Sequence, residues 1–397
     1  MNKTQTQPAV PIAVGAAEPD PPVWIEVDLQ AIQRNFRRVR SFVPASVRIL
    51  SVVKANAYGH GLVPVAQALE GAGADFLGVA SVAEGVLLRQ AGLRSAILVL
   101  GNPLPEEAGL ILDSDLTQAI GDWDCARALS AAAQAAGREV SVHLKVDTGM
   151  GRYGVWHEEA LELASRIRAL PGVRLGGVFT HFAKAGTSVE ASRAQLNHFE
   201  ALLARFRAAG VSTGLTHAAN SVGTLRFPEA HLNLVRPGLL MYGASPIRAG
   251  EDGPLPELEG ALTLKSRVHF LKTIPVGRTV SYGGTFKAQR PTVVATIPVG
   301  YAHGYSRALS NRARLLIGGH SAPVIGLVTM EDLMCDVTDI PGVRVGAEAV
   351  LIGRQGSRRI KAEELARHAR TIPYEILAGL SARIPRRYAP QTLPDRG

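Results

Sequence analysis

Lys54 closes a mostly apolar, β-branched run, Val47–Val53, and is followed by Asn56 and then by Tyr58-Gly59-His60-Gly61, which is turn chemistry. A lysine at the C-terminal end of a buried strand in a parallel sheet or barrel delivers its amine to a ligand crevice. Partial loss of water lowers its pKa and makes it a nucleophile or base at neutral pH, as reaction with a carbonyl cofactor requires. The competing reading is a lysine that snorkels into solvent. Other strand-like runs also end in polar residues. Lys145-Val146-Asp147-Thr148-Gly149-Met150-Gly151-Arg152 places an arginine fork, suited to a carboxylate, after glycines that allow close backbone approach. His181 follows Thr180; taken alone, such a histidine is more often a satisfied core residue. His217-Ala218-Ala219-Asn220-Ser221 puts a hydroxyl at the start of a helix, and Arg236-Pro237-Gly238 offers a glycine N–H. A phosphate held after the seventh and eighth strands is a recurring barrel feature.

These residues need a scaffold. An alternating segment, Trp24–Leu29, reads as a first strand, and an amphipathic helix with Ile32, Phe36 and Val39 on one face follows it. Strand patterns then recur at Val47–Val53, Phe76–Ala80, Ala96–Leu100, Leu116–Ile120, Val140–Val146, Leu175–Thr180, Gly214–His217 and Leu232–Leu240. Helical patterns alternate with them, including Leu62–Gly71, Val82–Ala91, Trp123–Ala136, Glu158–Leu170 and Ser192–Ala209. That alternation predicts a (β/α)8 TIM-like barrel over residues 22–250. No G-x-G-x-x-G follows the first strand, which removes the main support for a dinucleotide fold. The Pro- and Gly-rich stretch Gly243–Gly260 marks a boundary. Beyond it, short β-branched runs at Thr263–Ile274, Thr292–Ile297, Ala313–Ile317, Ala322–Val328, Met334–Val337 and Ala349–Ile352 predict a mainly β C-terminal domain over residues 251–397, with one late helix at Lys361–Arg370.

Composition narrows the class. The chain has 397 residues, 46% of them hydrophobic and only 5% aromatic, which suits an aliphatic barrel core. Its net charge of +9 is spread over clusters interleaved with Glu and apolar residues, so solvated helix faces explain it better than a nucleic-acid patch. Cys125 and Cys335 lie far apart, which points to a reduced compartment and no thiolate metal site. The Pro- and Ala-rich residues 1–21 read as a disordered tail rather than a signal peptide, and no run has the length of a membrane span. The expected location is cytoplasmic.

The Lys54–Gly61 stretch, the Lys145–Arg152 octet, Val280-Ser281-Tyr282-Gly283-Gly284-Thr285-Phe286 and the closing Ile372-Pro373-Tyr374-Glu375-Ile376 resemble, in order, the motifs of the fold-type III alanine racemases, and the likeness runs from Pro22 to Arg387. The resemblance implies pyridoxal 5'-phosphate attached to Lys54, its phosphate bound by Tyr58, Ser221, Gly238 and Tyr374, its ring near His181, and Arg236 at the pyridine nitrogen. A guanidinium there cannot accept a ring proton, so the cofactor withdraws charge less strongly than it does beside a carboxylate. The resemblance also implies that Arg152 binds the substrate carboxylate and that Lys145 is N-carboxylated. Tyr282 would be a second base, made acidic by a chain through His217 to Arg236, since a free phenol has a pKa of about 10. Lys54 would then take the proton from the D-antipode and Tyr282 that from the L-antipode.

Tyr301 would narrow the substrate entrance, and the Met330 backbone would meet the substrate. Thr329-Met330-Glu331 and His303 depart from the usual Cys-Met-Asp and Asp of the family, at the mouth that sets specificity. Lys54 and Tyr282 fall on different domains, so the family pattern implies a homodimer whose active site is shared between subunits, with the first strand pairing onto the C-terminal domain. The expected activity is alanine racemisation supplying D-alanine for peptidoglycan. A racemase of serine, lysine or arginine, a fold-type III decarboxylase, and a non-catalytic cofactor carrier are the competing readings. Arg236 argues against the decarboxylase, and Tyr282 and the second domain argue against the carrier.

Overall fold

The computed structural model describes residues 21–247 and 257–388. The expected N-terminal tail up to residue 20 and the middle of the expected boundary segment lie outside the described residues.

The first strand, β1 (Val23–Val27), leads through Asp28 into the helix Leu29–Ser41. Asp28 caps that helix by accepting the Ala31 N–H at 2.8 Å, and Ile32, Phe36 and Val39 are buried on the face the spacing predicts. The parallel strands are β2 (Arg48–Val52), β3 (Phe76–Val79), β4 (Ala96–Val99), β5 (Thr117–Ile120) and β6 (Val140–Asp147), with a two-residue spur, β7 (Val155–Trp156), beside β6. They continue as β8 (Val173–Phe179), β9 (Leu215–His217) and β10 (Leu234–Val235). Without the spur, the order β10-β2-β3-β4-β5-β6-β8-β9 is that of an eight-stranded barrel. Single bonds from Asn233 N–H to the Thr216 carbonyl and from Arg236 N–H to the Ala219 carbonyl join β9 to β10. Strands buried on both faces read as near-continuous apolar runs, which is why the sequence shows them clearly.

The second domain holds β11 (Leu262–Arg267), β12 (Phe270–Ile274), β13 (Thr279–Val280), β14 (Phe286–Lys287), β15 (Thr292–Ile297), β16 (Arg314–Ile317), β17 (His320–Pro323), β18 (Leu333–Asp336), β19 (Glu348–Gln355), β20 (Arg358–Ile360) and β21 (Arg386–Tyr388). Its main sheet runs β17-β16-β19-β11-β1-β21, so the first strand of the chain lies between strands from the second domain. β1 is antiparallel to β11 and parallel to β21.

Four details differ from the sequence reading. The Leu232–Leu240 run contains only the two-residue β10 before Pro237, which has no N–H to donate, and then turns into a 3-10 segment at Leu239–Tyr242. The Thr263–Ile274 run is two strands in separate sheets, β11 beside β1 and β12 beside β15. Strand pairing beyond Ala322 stops at Pro323, apart from a single bridge at Val324. Two late helices, Ala362–Ala369 and Pro373–Ala378, replace the one expected, separated by left-handed Arg370 and opened again by Pro373 at a first-turn position.

Candidate active site

After β2 the backbone does something unusual. Ala55, Asn56, Ala57 and Tyr58 all take left-handed dihedrals, with φ between 51° and 54°. Non-glycine residues resist that conformation by roughly 1–2 kcal/mol each, so the surroundings must impose it. They do. The Glu84 carboxylate accepts the N–H groups of Ala55 at 2.7 Å and Ala80 at 2.8 Å, and Asn56 Oδ1 accepts that of Leu62 at 2.9 Å. From the second domain, Arg386 donates to the Gly59 carbonyl at 3.1 Å and the Tyr388 hydroxyl to that of His60 at 3.2 Å. Gly59 is required: at φ +83° a Cβ would lie 2.2 Å from the Leu377 carbonyl oxygen. Both domains therefore fix the segment that carries Lys54 and Tyr58.

This turn forms one wall of a cavity of about 740 Å³ at the C-terminal rim of the barrel. Lys54, Tyr58, Lys145, Arg152, His181, Ser221, Arg236, Gly238 and Tyr374 all line it. The structure thus brings together nine of the residues named from sequence. Burial lowers the Lys54 pKa, and the neighbouring Arg152 and Arg236 cations lower it further against the pull of Glu84. Burial, then the same two arginines, bring Lys145 down to about 8. Its ammonium sits 5.1 Å from the Tyr153 ring centroid. Asp147 pulls Lys145 the other way, and its carboxylate accepts the four successive N–H groups of Gly149, Met150, Gly151 and Arg152 at 2.8 to 3.3 Å. It thereby shapes the loop that presents Arg152.

Arg236 is buried and donates to the carbonyls of Thr180 at 2.7 Å and Ala218 at 3.0 Å, and to His217 Nδ1 at 2.7 Å. Burial brings it down to about 9, still charged at neutral pH. His217 does not line the cavity, and the expected chain from Tyr282 through it is corrected by its geometry. Its second nitrogen, Nε2, lies 2.8 Å from His143 Nδ1, and its ring stacks on Phe179 at 4.6 Å, leaving no nitrogen for a tyrosine. His181 faces the cavity and keeps Nδ1 3.4 Å from Arg236.

Tyr282, Tyr301 and Met330 stand apart. They are 73%, 44% and 55% exposed, and none lines the Lys54 cavity within this chain. At the same edge Arg383 pairs with Glu331 and lies 3.1 Å from His303 Nε2, so the departures noted at the mouth contact one another through Arg383. Sequence reading missed Glu84, His143, Arg386 and Tyr388. A signal existed for His143, which lies two residues before Lys145 on a strand whose alternate residues share a face. No local signal marks the others.

A phosphorylated aldehyde fits the cavity. In one corner a Cβ on Gly238 would lie 2.4 Å from the Tyr58 hydroxyl, so only glycine leaves that space open. The Gly238 N–H donates to Ser221 Oγ at 2.9 Å rather than opening into the cavity, and Tyr374 sits with its ring 6.0 Å from Tyr58. The helix Ser221–Arg226 is short, so hydroxyls rather than a long helix dipole make this corner. An amine, two guanidiniums and three hydroxyls suit one phosphate, one carboxylate and one carbonyl carbon.

A parallel barrel with a desolvated lysine and an anion-binding rim, joined to a β domain that braces the lysine turn, defines a two-domain barrel protein with a small-molecule site. The family model "Alanine racemase, N-terminal domain" matches residues 27–246, and "Alanine racemase, C-terminal domain" matches residues 261–388. The chain is 48% identical to the alanine racemase of Symbiobacterium thermophilum over 94% of its own length and 98% of that protein's. The crystal structure of alanine racemase from D-cycloserine producing Streptomyces lavendulae aligns with a TM-score of 0.89 at 35% identity, covering 94% of this chain and 98% of that one. The Bacillus anthracis alanine racemase with bound L-Ala-P aligns with a TM-score of 0.86 at 35% identity, over 94% and 97% of the two chains. The chain belongs to the alanine racemase family.

Proposed function

We propose that this protein interconverts L- and D-alanine with pyridoxal 5'-phosphate and so supplies D-alanine for peptidoglycan in the cytoplasm. The observation that carries the reading is the placement of Lys54 in one cavity with Arg152, Arg236 and the Tyr58, Ser221 and Tyr374 hydroxyls. Lys54 would hold the cofactor covalently, the hydroxyl corner that Gly238 leaves open its phosphate, and His181 and Arg236 its ring. When bound, the cofactor supplies an electron sink for the substrate α-carbon.

The chain's own residues do the rest. Arg152 binds the substrate carboxylate, and Lys145, with its amine near pKa 8, is suited to carry the carbamate the family pattern implies. Arg236, tied to two carbonyls and a neutral histidine, stays a fixed cation and accepts no proton. Lys54, already depressed toward neutrality, moves the proton on the face of the D-antipode. Tyr282 serves the other face. Its exposure and its distance from the cavity lining in this chain support a second copy bringing its Tyr282, Tyr301 and Met330 edge over the rim. His181, rather than His217, is the histidine placed to pass the influence of Arg236 to that tyrosine.

The test is purified protein with pyridoxal 5'-phosphate in D2O, given L-alanine and a panel of other L-amino acids, with Cα–H exchange and enantiomer ratio followed together. Alanine should exchange and reach an equal mixture fastest. Faster turnover of serine, lysine or arginine would move the substrate assignment to the His303–Glu331–Arg383 mouth. Cofactor bound to Lys54 with no racemisation of any substrate would overturn the reading.

A further inference from the structure

Tyr282 is exposed, yet the backbone that carries it is not free. Ser281, immediately before it, has φ 66° and ψ −176°, a combination that belongs in practice to glycine. Its hydroxyl donates to the Leu327 carbonyl at 2.7 Å. Asn311, itself left-handed at φ 55°, accepts the Gly326 N–H at 2.6 Å and donates from Nδ2 to Thr285 Oγ1 at 3.0 Å. Ser310 Oγ accepts the Val328 N–H at 2.9 Å. Gly326 lets the two segments meet: a Cβ there would lie 2.7 Å from the Val280 carbonyl oxygen and 2.8 Å from Ser281 Cβ. The turn is thus fastened at both ends to the 326–328 segment. That segment runs on into Thr329 and Met330, whose carbonyls each accept an N–H at 3.0 Å, from Tyr301 and Ala302. Tyr282, Tyr301 and Met330 ride one clamped unit although none of their side chains is buried.

Strain that surrounding structure over-determines, next to a candidate base, is the signature of preorganisation. We propose that Ser281 and Asn311 are positioning residues that hold Tyr282 at the angle from which its oxygen exchanges a proton with the substrate α-carbon. The inference rests on the reading of Tyr282 as one of two bases. In the L-to-D direction the C–H bond breaks, the proton passes to the Tyr282 oxygen, and Lys54 delivers a proton to the opposite face.

A structural role and a positioning role differ in isotope effects. An enantiomer pair has an equilibrium constant of one, so any variant must lower kcat/KM equally in both directions. If only the Tyr282 transfer slows, the primary isotope effect with α-deuterated L-alanine rises, because that transfer becomes rate-limiting. The effect with α-deuterated D-alanine falls toward one, because the Lys54 transfer then equilibrates. For Ser281→Ala we expect kcat/KM down about tenfold in both directions, a displacement effect well under the loss of a base itself. The two isotope effects should diverge as described, while cofactor affinity by fluorescence titration and dimer mass by sedimentation stay at wild-type values.

Ser281→Gly, which tolerates the dihedrals but lacks the hydroxyl, should diverge in the same sense. Asn311→Asp, which keeps the acceptor for Gly326 and loses the donor to Thr285, should show a smaller version. Unchanged isotope effects, or activity lost only in step with cofactor affinity or dimer mass, overturn the proposal. The failures can be told apart. A fully active Tyr282→Phe sinks the two-base reading; a crippled Tyr282→Phe beside wild-type Ser281→Ala and Ser281→Gly sinks the positioning role alone.

Discussion

The barrel rim and the Tyr282 edge of the second domain hold their functional side chains in opposite ways. At the rim, Lys145 and Arg236 are 4% and 3% exposed, and Arg236 takes its geometry from buried partners. At the edge, side chains stand in solvent and the backbone beneath them is tied down instead. Burial tunes charge: it shifts Lys54, Lys145 and the histidines, and so readies one set of groups within a single chain. Exposure leaves a side chain open to contact. A surface of fixed backbone and open aromatic side chains is what the proposed second copy would bring to the rim.

Lys54→Ala is the severest test of the rim. It should lower racemisation by about 10³-fold or more while leaving the circular dichroism spectrum unchanged, since on the proposed mechanism it removes both attachment and base. Retention of a tenth of the activity would mean that the rim is not the reacting half. Tyr282→Phe should cost about 10²-fold or more with cofactor still bound. The comparison is sharpest when the two inactive proteins are unfolded and refolded together. In a two-fold dimer with shared sites, half the molecules are mixed and each has one intact site, so activity should return to about a quarter of wild type. No recovery would place both residues in one chain's site.

Acid should separate the regions next. Burial holds His60 at about 4 and His143 at about 3, and His181 and His217 well below the usual histidine value. Between those folded values and about 6.5 the unfolded chain binds more protons, so stability falls as pH falls, by about 1.4 kcal/mol per histidine for each pH unit. Urea midpoints measured from pH 7 to pH 5 should drop steeply, and His143→Gln should flatten the slope. The smallest effect concerns the left-handed turn. Ala55→Gly should raise stability by about 0.5–1 kcal/mol, seen in the same urea titration, because glycine tolerates φ of 54°.

The barrel was legible because its strands are buried on both faces and end where polar residues begin. Lys54, Arg152, Ser221 and Arg236 announced themselves at those ends, and the cavity collects them. What stayed hidden depended on distant partners. In Lys54-Ala55-Asn56-Ala57-Tyr58 only Asn56 is a type that visits the left-handed region readily, too little to signal four such residues in a row; Glu84, Arg386 and Tyr388 impose the turn. The role of His217 could not be read because it turns on which neighbour takes Nε2, and that neighbour, His143, lies 74 residues away. The alternation of Val23–Val27 showed a strand, and only the family resemblance put it on the C-terminal domain; that β11 and β21 flank it was not legible.

That last arrangement bears on how the protein is made. β1 leaves the ribosome before the barrel strands, but its neighbour β21 lies at residues 386–388, after all of them. A nascent polypeptide can close its barrel early, yet the sheet must wait for β21, as long-range pairings do. The same late strand bears Arg386 and Tyr388, which brace the turn at Gly59 and His60. Lys54 therefore reaches its final posture only after residues 386–388 have been made, and a chain cut before β21 would carry a barrel without a set lysine.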